Sequence, residues 1–370
     1  MNIFSEFYFK IYRTKLFYWE IIKKSSFSFK IRHLGILFRY IRTSILRKEL
    51  QPRIIILGVT YRCQCSCPHC LAGFYKKDPQ SELSDSEIKG IIDQFKEINP
   101  LAITFFGGEP LLRKGIEELI KYASLKGYVT ELETNGLLLD RKKVKDLKIA
   151  GLNRIYVSID SSKPDVHDRL RGVAGCYEKA LNALRYCVED GLPCGINTYA
   201  TKEKINDGTL KGVVEIGKKI KVNNVFIIFP SCAGHWLFNE GVALDKEDIS
   251  RVKELYGGNV ADWLRVKMPV TGTLHFKCSV LEKITRYISP YGEVQPCCCL
   301  PFSFGNIKES GLLEILRRLQ QHPMLREAEI IEDNDCMMND PTWRKKYIHS
   351  LDLSKTNFPY DVSKLGSDKR

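Results

Sequence analysis

The sequence predicts an α/β fold built on a parallel sheet, and three observations carry that expectation. From residue 53, short apolar, β-prone runs alternate with segments of helical periodicity, the pattern of strands joined by helical crossovers. The alternation supplies six strands, two short of a closed eight-stranded barrel, so an open partial barrel and a doubly wound sheet both fit. It stops near residue 231, where Gly, Pro, Ser and a second group of cysteines take over. In either architecture the crossovers are right-handed and ligands belong at the C-terminal strand ends.

The elements follow in order. Residues 54–60 form the first strand. A helix over about 84–98 comes next, because Ser84 and Glu87 have capping-box spacing and Ile88, Ile91, Ile92, Phe95 and Ile98 recur on one face. Strands at 102–106, 129–133, 154–159, 196–200 and 225–229 alternate with helices near 111–126, 140–150, 176–190 and 207–220. Residues 231–275 read as loop and short helix, and Leu312, Leu313, Leu316 and Leu319 mark a helix near 311–320. The implied division is a helical extension (1–50), a barrel (51–231), a connection (232–271), a small cysteine-rich domain (272–340) and a polar tail (341–370).

At 44% hydrophobic and 27% charged residues the 370-residue chain is globular in composition, which excludes a wholly disordered or collagenous reading. Its net charge of +13 is uneven. Residues 1–50 hold 11 Lys and Arg against three Asp and Glu, and 12 of the 39 aromatics. Ile31, Leu34, Phe38, Ile41 and Ile45 recur at helical spacing there, with Arg32, Arg39, Arg42 and Arg47 off the stripe, and Phe4, Phe7, Tyr8 and Ile11 make a shorter one. Such a segment either lies in a membrane interface or packs on the main domain or on a partner chain, with its arginines in water. No recognition motif supports nucleic acid binding. With no export signal and no long apolar run, the expected location is the cytoplasm, with peripheral membrane contact through residues 1–50.

Thirteen cysteines are too clustered for an extracellular disulfide framework: four fall within 63–70 and three are consecutive at 297–299. In a reducing compartment, clustered thiols hold metals more often than they form disulfides. Cys63, Cys67 and Cys70 follow the first strand with C-x3-C-x2-C spacing, which can hold three irons of a cubane and leave the fourth open. The alternative is a zinc knot with Cys65 as fourth ligand, cramped for tetrahedral geometry. Phe105-Phe106-Gly107-Gly108-Glu109-Pro110 ends the second strand: the glycines allow close backbone approach to a ligand, and Glu109 can accept from an amine.

The cysteine loop together with the Gly-Gly-Glu-Pro string resembles the radical S-adenosylmethionine (SAM) superfamily, over residues 53–230. The resemblance implies a partial (β/α)6 TIM-like barrel, a 4Fe–4S cluster on Cys63, Cys67 and Cys70, and SAM on its open iron. It places His69 beside the adenine, Gly107, Gly108, Glu109 and Pro110 near the amine, and Asn135 of Thr134-Asn135-Gly136 at the third strand's end. It further implies Ser158 at the ribose, Arg171 at the methionine carboxylate, and Asn197 and Thr198 facing the cavity. Reductive cleavage of SAM to a 5′-deoxyadenosyl radical, which then abstracts hydrogen from substrate, is the activity implied. The one-electron reductant would be a flavodoxin or ferredoxin.

Cys278, Gly292 and Cys297 have C-x13-G-x4-C spacing, with Tyr291-Gly292-Glu293 as a hairpin turn, and resemble the start of a SPASM/twitch extension. The full extension's later cysteine string is missing, and only Cys336 follows. The resemblance therefore implies one auxiliary 4Fe–4S cluster, on Cys278, Cys297, Cys336 and either Cys298 or Cys299, with Cys299 preferred. Cys176, Cys187, Cys194 and Cys232 have no ligand spacing and read as small apolar residues, and His235, His275 and His322 receive no role. The expected function is a net oxidation or crosslinking on a peptide or a membrane-associated, lipid-like substrate. Epimerisation or rearrangement uses the same front end, and an iron–sulfur electron carrier or scaffold is the non-enzymatic alternative.

Overall fold

Each of the six apolar runs becomes a strand in the computed structural model, which describes residues 27–46, 52–75, 81–256, 264–266, 278, 280–281, 284–328, 336–351 and 356–365. They are β1 (Ile54–Thr60), β2 (Ala102–Gly107), β3 (Val129–Thr134), β4 (Arg154–Ser158), β5 (Cys194–Tyr199) and β6 (Asn224–Ile228). All are parallel and neighbour one another in chain order. Helices Asp85–Ile98, Ile116–Leu125, Arg141–Ile149, Cys176–Glu189 and Thr209–Ile220 are the crossovers. The expected capping box is present: Ser84 Oγ accepts from Glu87 N, and the Glu87 carboxylate accepts from Ser84 N at 2.7 Å. Ile88, Ile91, Ile92, Phe95 and Ile98 are all buried.

The sheet is larger than six strands. β7 (Leu264–Val266) joins β6, and β8 (Thr285–Ile288) pairs in parallel with β1, Ile54 opposite Thr285. The order is β7-β6-β5-β4-β3-β2-β1-β8, ending in β9 (Val294–Gln295), antiparallel to β8. Edges β7 and β9 do not meet, so the barrel is open. β8 comes from the cysteine-rich region, and it covers the outer edge of β1, which would otherwise present unpaired backbone groups. The approach is close: a Cβ on Gly58 would lie 2.7 Å from Tyr287 Oη and from Pro290 Cδ. Gly292, at φ +90°, turns the β8–β9 hairpin as expected.

Two segments differ from the sequence reading. A helix at Pro164–Arg171 precedes the β4–β5 crossover helix and carries His167 and Arg171 inward. Part of the expected polar tail is buried structure: helix Pro341–Tyr347 packs Trp343, Arg344 and Tyr347 inward, and β11 (Tyr360–Asp361) pairs with β10 (Phe302–Ser303). In the run Arg344-Lys345-Lys346, helical spacing turns Arg344 inward, where its guanidinium donates to the carbonyls of Leu237 (2.8 Å), Met338 (3.3 Å) and Cys232 (3.4 Å).

Residues 1–26, including Phe4, Phe7, Tyr8 and Ile11, and His275 lie outside the described residues. The predicted amphipathic helix is present as Phe27–Leu46. It meets the barrel through His33 and Ile36, both buried, while Ile31, Leu34 and Phe38 point to solvent.

Candidate active site

The cysteine loop leaves the C-terminal end of β1 and is fixed from three sides. Glu82 Oε1 accepts from Tyr61 N (2.7 Å) and Thr60 Oγ1 (3.0 Å). The Gly-Gly-Glu-Pro turn lies against the loop, with Gly108 N donating to Thr60 O (2.7 Å) and Glu109 N to Arg62 O (2.8 Å). Here the glycines are needed for backbone-to-backbone approach: a Cβ on Gly107 would lie 2.0 Å from Thr60 O, and one on Gly108 2.4 Å from Arg62 O. From the third side, Ser66 N donates to Arg171 O (2.9 Å).

Glu109 is fully buried. Its Oε1 accepts from Leu111 N (3.0 Å) and Thr134 Oγ1 (2.8 Å), and its Oε2 from Asn135 N (2.7 Å). The carboxylate thus ties the turn after β2 to Thr134-Asn135-Gly136 after β3. Burial pushes its pKa up to about 7, against the lowering effect of those donors. The folded state therefore holds this proton more tightly than the unfolded chain, and the group's contribution to stability falls as pH rises from about 4.5 to 7. Glu109→Gln should remove that pH dependence. It should also cost about 1–3 kcal/mol, because its NH2 must face at least one of three buried donors; urea melts at both ends of the window check this.

None of the thirteen cysteines is in a disulfide. The donors around the loop suit thiolates. Arg171 Nη1 lies 3.6 Å from Cys67 Sγ, Asn135 Nδ2 lies 3.8 Å from Cys63 Sγ and 3.4 Å from Cys65 Sγ, and Gly73 N donates to Cys70 Sγ at 3.0 Å. A hydrogen bond from Cys65 is the largest influence lowering Cys63, to about 6, and it lowers Cys67 too, whereas burial raises Cys70. Cys65 is itself raised, as the shared donor to Cys176, Cys63 and Cys67. Cys176 is buried as expected, yet its thiol meets this group, a proximity that sequence spacing did not reveal.

Beyond the loop lies a buried charge cluster. Asp160, at the end of β4 and 1% exposed, sits 2.5 Å from Arg171 Nη2, 3.6 Å from Lys204 Nζ and 3.6 Å from His69 Nε2. Burial alone would raise its carboxyl; Arg171, Lys204, His69 and His167 pull it well below the usual carboxylate range. Burial lowers His69 to about 4, so the ring is neutral at pH 7. Arg171 lies beside the cysteine loop, and one edge of its guanidinium is engaged by Asp160. Lys204 is a second buried cation here that the sequence did not flag.

His69 packs 4.8 Å from Tyr199 and 5.6 Å from Trp236, giving an aromatic wall suited to a flat ring. Ser158 and Asn197 are register partners at the ends of β4 and β5. Asn197 Oδ1 and Thr198 Oγ1 are buried without a hydrogen-bond partner among the described residues, so a polar ligand has groups to meet. His235, given no role, lies beside the loop, its N donating to Cys70 O at 3.2 Å.

The second cysteine group stands close by. Cys278, Cys297 and Cys336 pack against the main core, and Cys299 is hydrogen-bonded with Cys297. Arg286 is buried beside Cys297 and Cys278; burial pulls its pKa down to about 10 against their opposing charge. A buried guanidinium next to two thiols again suits thiolates. Cys298 faces elsewhere, onto a buried cluster of Tyr61, Tyr75, Tyr287 and Tyr291 that also carries Cys70. Tyr61 and Tyr287 share a hydroxyl hydrogen bond of 2.7 Å, and Tyr61 and Tyr291 meet edge to face at 5.5 Å. The two cysteine regions are therefore in contact through four tyrosines.

An open parallel barrel, a cysteine loop after β1 and buried polar groups at the strand ends define the class, and comparison with known proteins agrees. Residues 57–215 match the radical SAM superfamily, and residues 278–338 match the iron–sulfur cluster-binding domain called SPASM. The chain is a radical SAM protein with a C-terminal SPASM-type domain. These domains imply a SAM-binding 4Fe–4S cluster, SAM and an auxiliary iron–sulfur cluster, and the thiols and donors above fit them. Over 305 residues the chain is 28% identical to an AdoMet-dependent heme synthase of Methanosarcina barkeri, covering 75% of this chain and 86% of that protein. It is 25% identical over 286 residues to a PqqA peptide cyclase of Rhizobium meliloti, covering 73% and 75%. Among solved structures, Streptococcus suis SuiB bound to precursor peptide SuiA has a TM-score of 0.59 at 16% identity, covering 76% of this chain and 68% of that one, a likeness of fold.

Proposed function

We propose that the protein is a radical SAM oxidoreductase acting on a peptide, with a net two-electron oxidation or crosslink as outcome. The observation that supports this reading is the tyrosine cluster against which both Cys70 and Cys298, the neighbour of Cys297 and Cys299, pack, so that the two cysteine regions lie close together. When bound, the clusters and SAM supply a hydrogen-abstracting 5′-deoxyadenosyl radical and an acceptor for one electron. The chain's part is positional. Cys63, Cys67 and Cys70 are the ligands of the first cluster, and Cys278, Cys297, Cys299 and Cys336 those of the second. His69, Tyr199 and Trp236 border the adenine. Ser158, Asn197 and Thr198 meet the ribose side, while Lys204 joins Arg171 in drawing the methionine carboxylate. Gly107, Gly108, Glu109, Pro110 and Asn135 shape the wall at the amine. A flavodoxin or ferredoxin is the reductant.

The match over three quarters of a PqqA peptide cyclase's length supports a peptide. The heme synthase match, which is longer, supports a tetrapyrrole as the second reading. Mass spectrometry of a reconstituted reaction tests the oxidation. Cys278→Ala with Cys297→Ala should still yield 5′-deoxyadenosine but lose the product lighter by two hydrogens. Product formation that survives this double change would contradict the oxidative role.

A further inference from the structure

We propose that the outward face of helix Phe27–Leu46 docks on an anionic lipid bilayer and holds the barrel there by the end opposite its active site. The inference goes beyond the proposed chemistry and does not depend on it.

The helix is fastened to the N-terminal ends of the strands. His33 Nδ1 lies 2.9 Å from the carbonyl of Gly127, two residues before β3, and Arg39 Nε donates to Asn99 Oδ1 at 3.0 Å, three residues before β2. The contact is tight, since a Cβ on Gly127 would lie 2.7 Å from Arg32 Cβ. The buried face is thus His33 and Ile36. Ile31, Leu34 and Phe38 form a stripe on the other side, 56%, 57% and 67% exposed. Leu125 and Ile149, the last residues of two crossover helices, are exposed at this same end, at 58% and 84%. Of the large apolar side chains exposed among the described residues, only Leu138 and Phe238 lie elsewhere. Grouped exposed apolar surface marks an interaction site.

Charge selects the occupant. Lys96, Lys148, Lys218 and Lys219 sit in the last turns of crossover helices at this end. Residues 1–26 add five Lys and Arg against two Glu, with eight aromatics. A second copy would bring the same positive charge against itself, whereas an anionic leaflet attracts each cation near its surface. No helix among the described residues is long and apolar enough to cross a membrane, so the contact is peripheral. With the helix at the strands' N-terminal ends, the cavity opens away from the bilayer. Substrate then arrives from the aqueous side, which sets the lipid-like substrate expected from the sequence below the peptide.

Co-sedimentation of the full chain with vesicles tests this. The protein should pellet with phosphatidylcholine vesicles containing roughly a third phosphatidylglycerol, about tenfold more than with phosphatidylcholine alone, and release at about 0.5 M salt. Ile31→Ser, Leu34→Ser and Phe38→Ser together should lower the vesicle-bound fraction about tenfold while leaving the thermal melt and sedimentation coefficient unchanged. Failure to pellet with anionic vesicles, or equal pelleting of the triple variant, would overturn the proposal. So would a wild-type dimer that the triple variant converts to monomer, which would make a second copy the occupant. SAM cleavage by the same samples is read separately, so either account can fail alone.

Discussion

Asp160→Asn should destabilise the fold by about 3–5 kcal/mol in urea or guanidinium melts, the cost of leaving buried charges without their partner. Asp160 is the single carboxylate within ion-pair reach of Arg171, Lys204 and His69 among the described ion pairs, and Arg171 and Lys204 are themselves buried. The sign of the pH effect follows from its lowered pKa. A carboxylate held below its ordinary 3.8 contributes its stabilisation fully above that value, and the contribution is lost as pH falls. The variant should therefore lose stability at neutral pH and show a shallower decline in acid. A change under about 1 kcal/mol at pH 7 would mean that the cluster is solvated and worth little, as surface pairs are.

The other large effect is on metal content. Wild-type protein reconstituted without oxygen should hold about eight irons, four on each cysteine group. Cys63→Ala, Cys67→Ala and Cys70→Ala combined should lose about half of that iron and keep the rest on the second group. Cys65→Ala is the control. Its spacing places it outside the three-ligand set of Cys63, Cys67 and Cys70, so its removal should leave the iron count unchanged. Loss of iron in that single variant would show that the ligand set is wrongly drawn.

Much of this site was legible because its residues are local. Cys63, Cys67 and Cys70 lie in one loop, and Gly107-Gly108-Glu109-Pro110 in one turn, and the two local strings together carry the family resemblance. The six strands were legible for the same reason: each apolar run is contiguous, and β1 (Ile54–Thr60) fell on its predicted bounds. What stayed hidden depends on long-range pairing. Nothing local in Thr285–Ile288 says that it will extend the barrel beside Ile54–Leu57. Lys204 looks like any surface lysine until β5 and the short helix Lys202–Asn206 carry it to Asp160. Tyr61, Tyr75, Tyr287 and Tyr291 are scattered over some 230 positions and meet only once β8 lies against β1. Glu109 was read as an acceptor for an amine, whereas its three donors, Leu111 N in its own turn and Thr134 Oγ1 and Asn135 N at the next strand's end, have no local signal. The apolar stripe of the first helix was found from periodicity, whereas the face by which it attaches, His33 and Ile36, has no periodic signal.

The central claim is that the loop after β1 supports reductive cleavage of SAM, and formation of 5′-deoxyadenosine is its most direct test. Anaerobically reconstituted wild-type protein, given SAM and dithionite, should produce 5′-deoxyadenosine that liquid chromatography detects. The Cys63→Ala, Cys67→Ala, Cys70→Ala variant should produce none. Cleavage that persists in that variant, or its absence from wild-type protein carrying a full complement of iron, would contradict the account.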